Sequence, residues 1–151
     1  RKETRKNFIE FLLSEIVILI VERIASYSIQ DLVSIKLNSR FLNEVANEHY
    51  VYHKVHWSAF SPKPRWMMNQ QAISFMNICI ASENLEALYR KGMFNFFNCN
   101  DPTALGMVNK AAEGGHRVAE YVLAIISIFE GSKSMREGLM CITNRKKNVP
   151  V

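Results

Sequence analysis

The second half of the chain repeats itself. Residues 70–97 fall on residues 102–129 at an offset of 32, with no gap. Ile73 meets Leu105, Met76 meets Val108, and Cys79-Ile80 meets Ala111-Ala112. Ala87 meets Ala119, Tyr89 meets Tyr121, Met93 meets Ile125 and Phe97 meets Phe129. The shared positions are apolar at spacings of three and four, which is one face of a helix. Both units are interrupted at the same place, by Ser82-Glu83-Asn84 and by Gly114-Gly115-His116. Each unit is therefore expected to be two helices joined by a tight turn. A lone helical hairpin cannot bury its apolar face, so such units stack on one another.

A two-helix period near 32 residues lies close to the ~34 of tetratricopeptide-type repeats. Asp101-Pro102 reads as an N-cap followed by proline in the first turn of a helix. Gly114 is expected to be a left-handed C-cap. A last helix over 135–143, with Met135, Leu139 and Ile142 in register, would cap the open end of the stack.

Before the repeat, Ser61-Pro62-Lys63-Pro64-Arg65 is the clearest boundary. Two close prolines exclude a helix interior, and each pushes its predecessor out of the α region. This places an N-terminal domain at 8–60, a linker at 61–68 and a repeat domain at 69–145. Phe8 to Ile24 reads as a first helix, with Ile16, Ile20 and Ile24 in one stripe and Val17 and Val21 in another. A helix so apolar all round needs cover on more than one face, from the chain or from a partner. Ser28, with Asp31 three residues on, predicts the start of a second helix with Ile29, Leu32, Val33 and Leu37 on its apolar face. Asn38-Ser39 ends it and caps a third helix carrying Phe41, Leu42, Val45 and Ala46. The segment 50–57 reads equally as a short helix or an extended piece.

The fold class is all-α. Six Gly and four Pro are too few for the many tight turns of an all-β chain, and 48% hydrophobic with 22% charged residues is an ordinary globular balance. The net charge of +5 sits largely at the ends, in Arg1-Lys2, Arg5-Lys6 and Arg145-Lys146-Lys147. No aromatic residues interleave with these charges to stack on bases, so solvated tails are preferred to a nucleic-acid contact. The longest apolar run, 16–21, is far short of the roughly 20 residues of a membrane span. Cys79, Cys99 and Cys141 are widely spaced and odd in number, which reads as buried thiols in a reducing compartment rather than a disulfide or zinc framework.

Residues that carry chemistry are sparse. His49, His53 and His56 could share one helix face, but no Glu-x-x-His motif or nearby Cys accompanies them, so no metal is expected. Gly114-Gly115 follows a helix instead of preceding one and cannot form a phosphate loop. His116 reads as a turn or cap residue rather than a catalytic base. No nucleophile elbow occurs, and no catalytic residue, cofactor or small-molecule substrate is expected.

Two stretches resemble known families. Leu12–Arg23 resembles the opening of the F-box motif, with Leu12 at its leucine, Glu15 at an acidic position, Ile16, Val17 and Ile20 at apolar ones and Arg23 at the basic one. Ser28-Ile29-Gln30-Asp31-Leu32 is similar to its Ser-Leu-x-x-Leu step, and Arg40, Asn43-Glu44-Val45 and 50–55 to its closing helix. Leu13 replaces the motif's proline, Leu19 stands where an acidic residue is common, Ser39 where Cys is frequent and Leu42 where Trp or Phe is usual. Lys110-Ala111-Ala112-Glu113-Gly114-Gly115-His116, with Ala119, Tyr121 and Leu123, resembles the core of Sel-one-like repeats, a tetratricopeptide subclass. The pair resembles a group of plant F-box proteins with a short C-terminal repeat module.

That resemblance implies a non-catalytic substrate receptor of a cullin-RING ubiquitin ligase, in the nucleus or cytoplasm. The F-box would dock on a Skp-family adaptor, and through it on a cullin. The repeats would recruit a protein substrate of unknown identity. The docking surface is expected on Ile16, Val17, Ile20 and Ile24, with Leu32, Leu37 and Leu42. Arg90, Lys91, Asn95 and Arg117 are polar positions that a substrate could meet. Two alternatives stay open: a degenerate F-box that only caps the repeats, and a basic helical protein that binds nucleic acid.

Overall fold

The structure, a computed structural model, describes residues 2–56, 70–130 and 140, with side chains from Leu13 onward. Every regular element among them is helical. In order they are α1 (Lys2–Tyr27), α2 (Ile29–Asn38), α3 (Arg40–Ala46), α4 (His49–Lys54) and α5 (Gln70–Ala81). Then come α6 (Leu85–Asn98), a 3-10 turn (Pro102–Ala104), α7 (Leu105–Glu113) and α8 (Arg117–Glu130). The expected linker at 61–68 lies outside the described residues, as does the closing helix at 135–143 apart from Met140. Compactness divides the chain into Arg1–Asn84 and Leu85–Val151, so α5 belongs with the first unit.

In the first unit α1 packs on α2, α3 and α4. It begins at Lys2, earlier than the apolar pattern predicts, because Lys, Glu and Arg are good helix formers even where they bury nothing. Val21 and Ala25, four apart, are fully buried, the only such residues of α1 from Leu13 onward. They meet a core that includes Leu32, Val45, Ala46, Val51 and Val55. Ser28 starts α2 as predicted: its Oγ accepts the Asp31 N–H at 3.2 Å. Its own N–H goes to Ile24 O at 2.9 Å, so the reciprocal half of the capping box is not used. Ser39 Oγ likewise accepts the Leu42 N–H at 3.0 Å and starts α3. Of the segment 50–57, residues 50–54 are helical, within α4. Lys36 ties α2 to α4 and to the turn between α3 and α4. Its Nζ donates to Tyr52 Oη at 2.6 Å and to Asn47 Oδ1 at 2.8 Å.

The repeat is visible in the element bounds. Those of the second helical pair are those of the first moved by 32 residues at all four ends, counting the 3-10 turn with α7. Buried positions recur at the same offset: Met76 and Val108, Cys79 and Ala111, Ala87 and Ala119, Gly92 and Ala124. The turns match bond for bond. Asn84 N–H reaches Cys79 O at 3.0 Å, and His116 N–H reaches Ala111 O at 3.0 Å. Glu83 N–H bonds Ile80 O and Gly115 N–H bonds Ala112 O. This is a Schellman-type reversal, and it needs one residue at positive φ. Glu83 (φ 55°) and Gly115 (φ 92°) supply it.

That corrects the expectation for Gly114. Its φ of −73° is ordinary, and the left-handed residue is its neighbour. Gly114 is needed for closeness instead, since a Cβ there would run into the side chain of Leu85. Asp101 acts as the expected N-cap, accepting the Thr103 N–H at 3.0 Å, but the proline opens a 3-10 turn and not an α-helix.

The residue that ends each turn reaches back to an earlier element. Asn84, 2% exposed, donates its amide to the carbonyls of Tyr52 (3.0 Å), His53 (3.0 Å) and Val55 (2.8 Å) at the end of α4. Asn84→Ala removes the side-chain donor from the His53 and Val55 carbonyls in a dry site, while Tyr52 O keeps the Val55 N–H, and should cost about 1–3 kcal/mol of stability; a urea denaturation midpoint unchanged from wild type would contradict this. Within the second unit, Gly92 lets α6 approach α7. A Cβ there would lie 2.7 Å from Val108 Cγ2 and 3.0 Å from the backbone oxygen of Ala104. Gly92→Ala should therefore lose about 1–3 kcal/mol by overpacking, despite a helix-propensity gain of up to ~1 kcal/mol. A higher melting temperature would show that α6 is free to shift.

Candidate functional site

The side of α1 opposite Val21 and Ala25 is left open. Leu13, Ile16, Leu19 and Ile20 are all exposed, Leu19 at 62% and Ile20 at 53%. Ile16, Leu19, Ile20 and Ile24 line a groove of about 690 Å³, to which Glu22, Arg23 and Lys54 also contribute. Burying each such aliphatic chain is worth roughly 1.5–3 kcal/mol, so the open face is an unspent driving force for association. A second exposed apolar group stands on α2 and α3: Val33, Leu37 (83%) and Phe41.

The seven expected docking residues divide by environment. Ile16 and Ile20 are exposed in the groove, and Ile24 lines it half-buried. Val17 is half-buried on the stripe that leads to Val21, and Leu42 is half-buried on α3. Leu37 is exposed. Leu32 is core, at 1% exposure, and cannot touch a partner in this fold. Its correction has a simple cause: residues on the buried face of a capped helix show the same apolar spacing as residues on a docking face. Leu13, Leu19, Val33 and Phe41 are open apolar residues that the sequence reading left out. The signal for Leu19 was present, since it is apolar where an acidic residue is common in the motif it resembles.

The three histidines of α4 and its end do not act together. His49 is exposed, with its ring edge-on to Tyr50. His53 Nδ1 lies 3.0 Å from Ser82 O, and the His56 N–H bonds Ala25 O at 3.2 Å. Among the described residues no three His, Cys, Asp or Glu side chains gather as a metal site. Cys79 is buried, and burial pushes its thiol up to about 12 against a small opposing pull from Lys36. Such a thiol is unreactive at neutral pH. Cys99 is exposed after the end of α6, which corrects the expectation that the thiols are buried; Cys141 lies outside the described residues. No helix among the described residues is long and apolar enough to cross a membrane.

In the second unit the polar residues named as possible substrate contacts are mostly engaged. Arg90 Nε donates to Glu86 Oε1 at 2.6 Å. Lys91 Nζ stands 6.0 Å over the Phe94 ring. The Asn95 backbone carbonyl, not its side chain, accepts the N–H groups of Cys99 and Asp101. Arg117 is exposed at the start of α8. His116 has a clear structural task. Its Nδ1 accepts the Ala119 N–H at 3.1 Å, which makes it the side-chain cap of α8. The proton is then on Nε2, which donates to Glu86 Oε2 at 2.7 Å. The imidazole also stacks on Tyr89, 4.7 Å between ring centroids.

The fold is that of a helical-hairpin repeat protein. Residues 58–149, more than half of the chain, match the family described as plant tetratrico peptide repeats, and the chain belongs to that family. It is also similar to a protein of Arabidopsis thaliana provisionally named an F-box protein, 28% identical over 112 residues. That alignment takes in 74% of this chain and 37% of the relative, so the chain spans well under half of the relative's length. No solved structure matches the chain.

Glu86 gives the repeat a pH signature. Burial alone would raise its pKa, but the hydrogen bonds from His116 and Arg90, together with the Arg90 charge, outweigh burial and hold it below the ordinary 4.5. A carboxylate with a depressed folded pKa stabilises above its unfolded value and loses that stabilisation as pH falls through its folded value. Thermal stability should therefore drop on going from about pH 5 to about pH 3, and drop less steeply in Glu86→Gln. Parallel melting-temperature profiles for the two proteins would rule out the linkage.

Proposed function

We propose that this chain is a non-catalytic substrate receptor of a cullin-RING ubiquitin ligase. Residues 8–60 form its F-box, docked on a Skp-family adaptor and through it on a cullin. The repeats from residue 69 onward, of the Sel-one-like subclass, recruit a protein substrate in the nucleus or cytoplasm. The observation that carries the reading is the open apolar face of α1. Ile16, Leu19 and Ile20 stay exposed although Val21 and Ala25 on the same helix are fully buried. A monomer gains nothing from such a face, whereas a helical partner would cover it. The F-box-like residues Leu12–Arg23 fall on this helix, and the similarity to the provisionally named F-box protein points the same way. The receptor does no covalent chemistry in this reading. It raises the local concentration of substrate beside the ligase.

The test is a pull-down with a plant Skp-family adaptor, run beside an Ile16→Asp/Ile20→Asp variant. Both side chains are exposed, so the variant should fold, with a helical spectrum and melting temperature near wild type. Wild type should bind and the variant should lose at least tenfold in affinity. A folded wild type that ignores the adaptor would leave a helical scaffold whose F-box-like half is structural.

A further inference from the structure

We propose that the α1 groove takes an acidic amphipathic helix of the adaptor, and that Arg23 and Lys54 select it by pairing with its carboxylates. This rests on the adaptor-docking reading and adds a charge specificity to it. Three observations on the first unit lead there.

The first is shape. Ile16, Ile20 and Ile24 recur every four residues over about 12 Å of α1. Leu19 and Arg23 form a parallel row beside them. Rows at this spacing leave a trough into which the ridge of another helix fits. The second is composition along the trough. Leu19 adds a wholly apolar wall at 62% exposure, and Arg23 follows it one turn later, with Lys54 contributed from α4. An occupant must present apolar side chains at one end of its face and polar ones at the other.

The third is charge. Arg23 and Lys54 are both exposed, and neither has an ion pair among the described residues. The Arg23 guanidinium lies 5.2 Å over the Tyr27 ring, which holds it extended along α1. Glu22 is the acid lining the groove, so the lining carries a net charge of one positive unit, two cations against one anion. The whole chain has the same sign, +5. A basic helix would meet like charge at two of three charged positions. An acidic helix would pair with two and face one.

Charges at the margin of an interface act chiefly on association rate and salt dependence. The experiment measures binding of the chain to a plant Skp-family adaptor between about 50 and 500 mM salt. It compares wild type, Arg23→Gln/Lys54→Gln and the charge-keeping Arg23→Lys/Lys54→Arg. Wild-type affinity should fall steeply with salt. The glutamine variant should bind about tenfold more weakly at the lowest salt, through a slower on-rate, and show a flatter salt slope. The charge-keeping variant should stay within about threefold of wild type. Equal affinity and equal salt slope for wild type and the glutamine variant would overturn the charge selection while leaving adaptor docking intact. Equal loss in the charge-keeping variant would also overturn it, since shape would then be the cause. No binding by wild type at any salt would overturn both.

Discussion

The chain reverses direction between paired helices by one device, a residue at positive φ followed by a backbone bond back across the turn. Everything in the repeat depends on it. Glu83 and Gly115 take the left-handed conformation, and Asn84 and His116 close the bonds to Cys79 and Ala111. The side chains of those two closing residues then do a second task. Asn84 binds three carbonyls at the end of α4, and His116 binds Glu86 on α6. At the same place in each unit, the turn is fastened to a helix that precedes the hairpin. The chemistry differs: a neutral amide meets carbonyls in one unit, an imidazole meets a carboxylate in the other. The position of the fastening is conserved between the two units while its partners are not.

The first unit is organised by an imbalance on α1. Its apolar residues run round most of the helix, yet the core uses chiefly the Val21–Ala25 edge. Its three short neighbours, α2, α3 and α4, leave one side of its described residues uncovered. The uncovered side becomes a groove whose floor is aliphatic and whose charged lining is cationic on balance. In the proposed reading stability and recognition draw on opposite sides of one helix, so substitutions on the open side are expected to change binding with little effect on folding.

The repeat was legible in the sequence because two copies constrain each other: an offset of 32 that matches apolar positions also fixes the turns and the helix ends. The caps at Ser28, Ser39 and Asp101 were legible because a small polar residue before an apolar run has a local task. The left-handed residue was misplaced by one, at Gly114 instead of Gly115, because either glycine could adopt it and only tertiary closeness to Leu85 separates their roles. The open apolar face was legible only in part. On a helix apolar all round, spacing shows several stripes and cannot say which one meets the core. Spacing alone therefore puts Leu32 on the docking face, where the structure buries it, and gives no sign that Leu13, Leu19, Val33 and Phe41 stay open. The exposure of Cys99 follows from the end of α6, which falls just before it, and composition carries no signal for that.

The central claim is that α1 presents an open face made to be covered by another protein. Amide hydrogen exchange, read by mass spectrometry with and without a plant Skp-family adaptor, tests it directly. Peptides covering residues 13–24 should exchange more slowly in the presence of the adaptor, while peptides from α7 and α8 keep their rates. Protection confined to α6–α8, with α1 unchanged, would contradict the account and move the interface to the repeats.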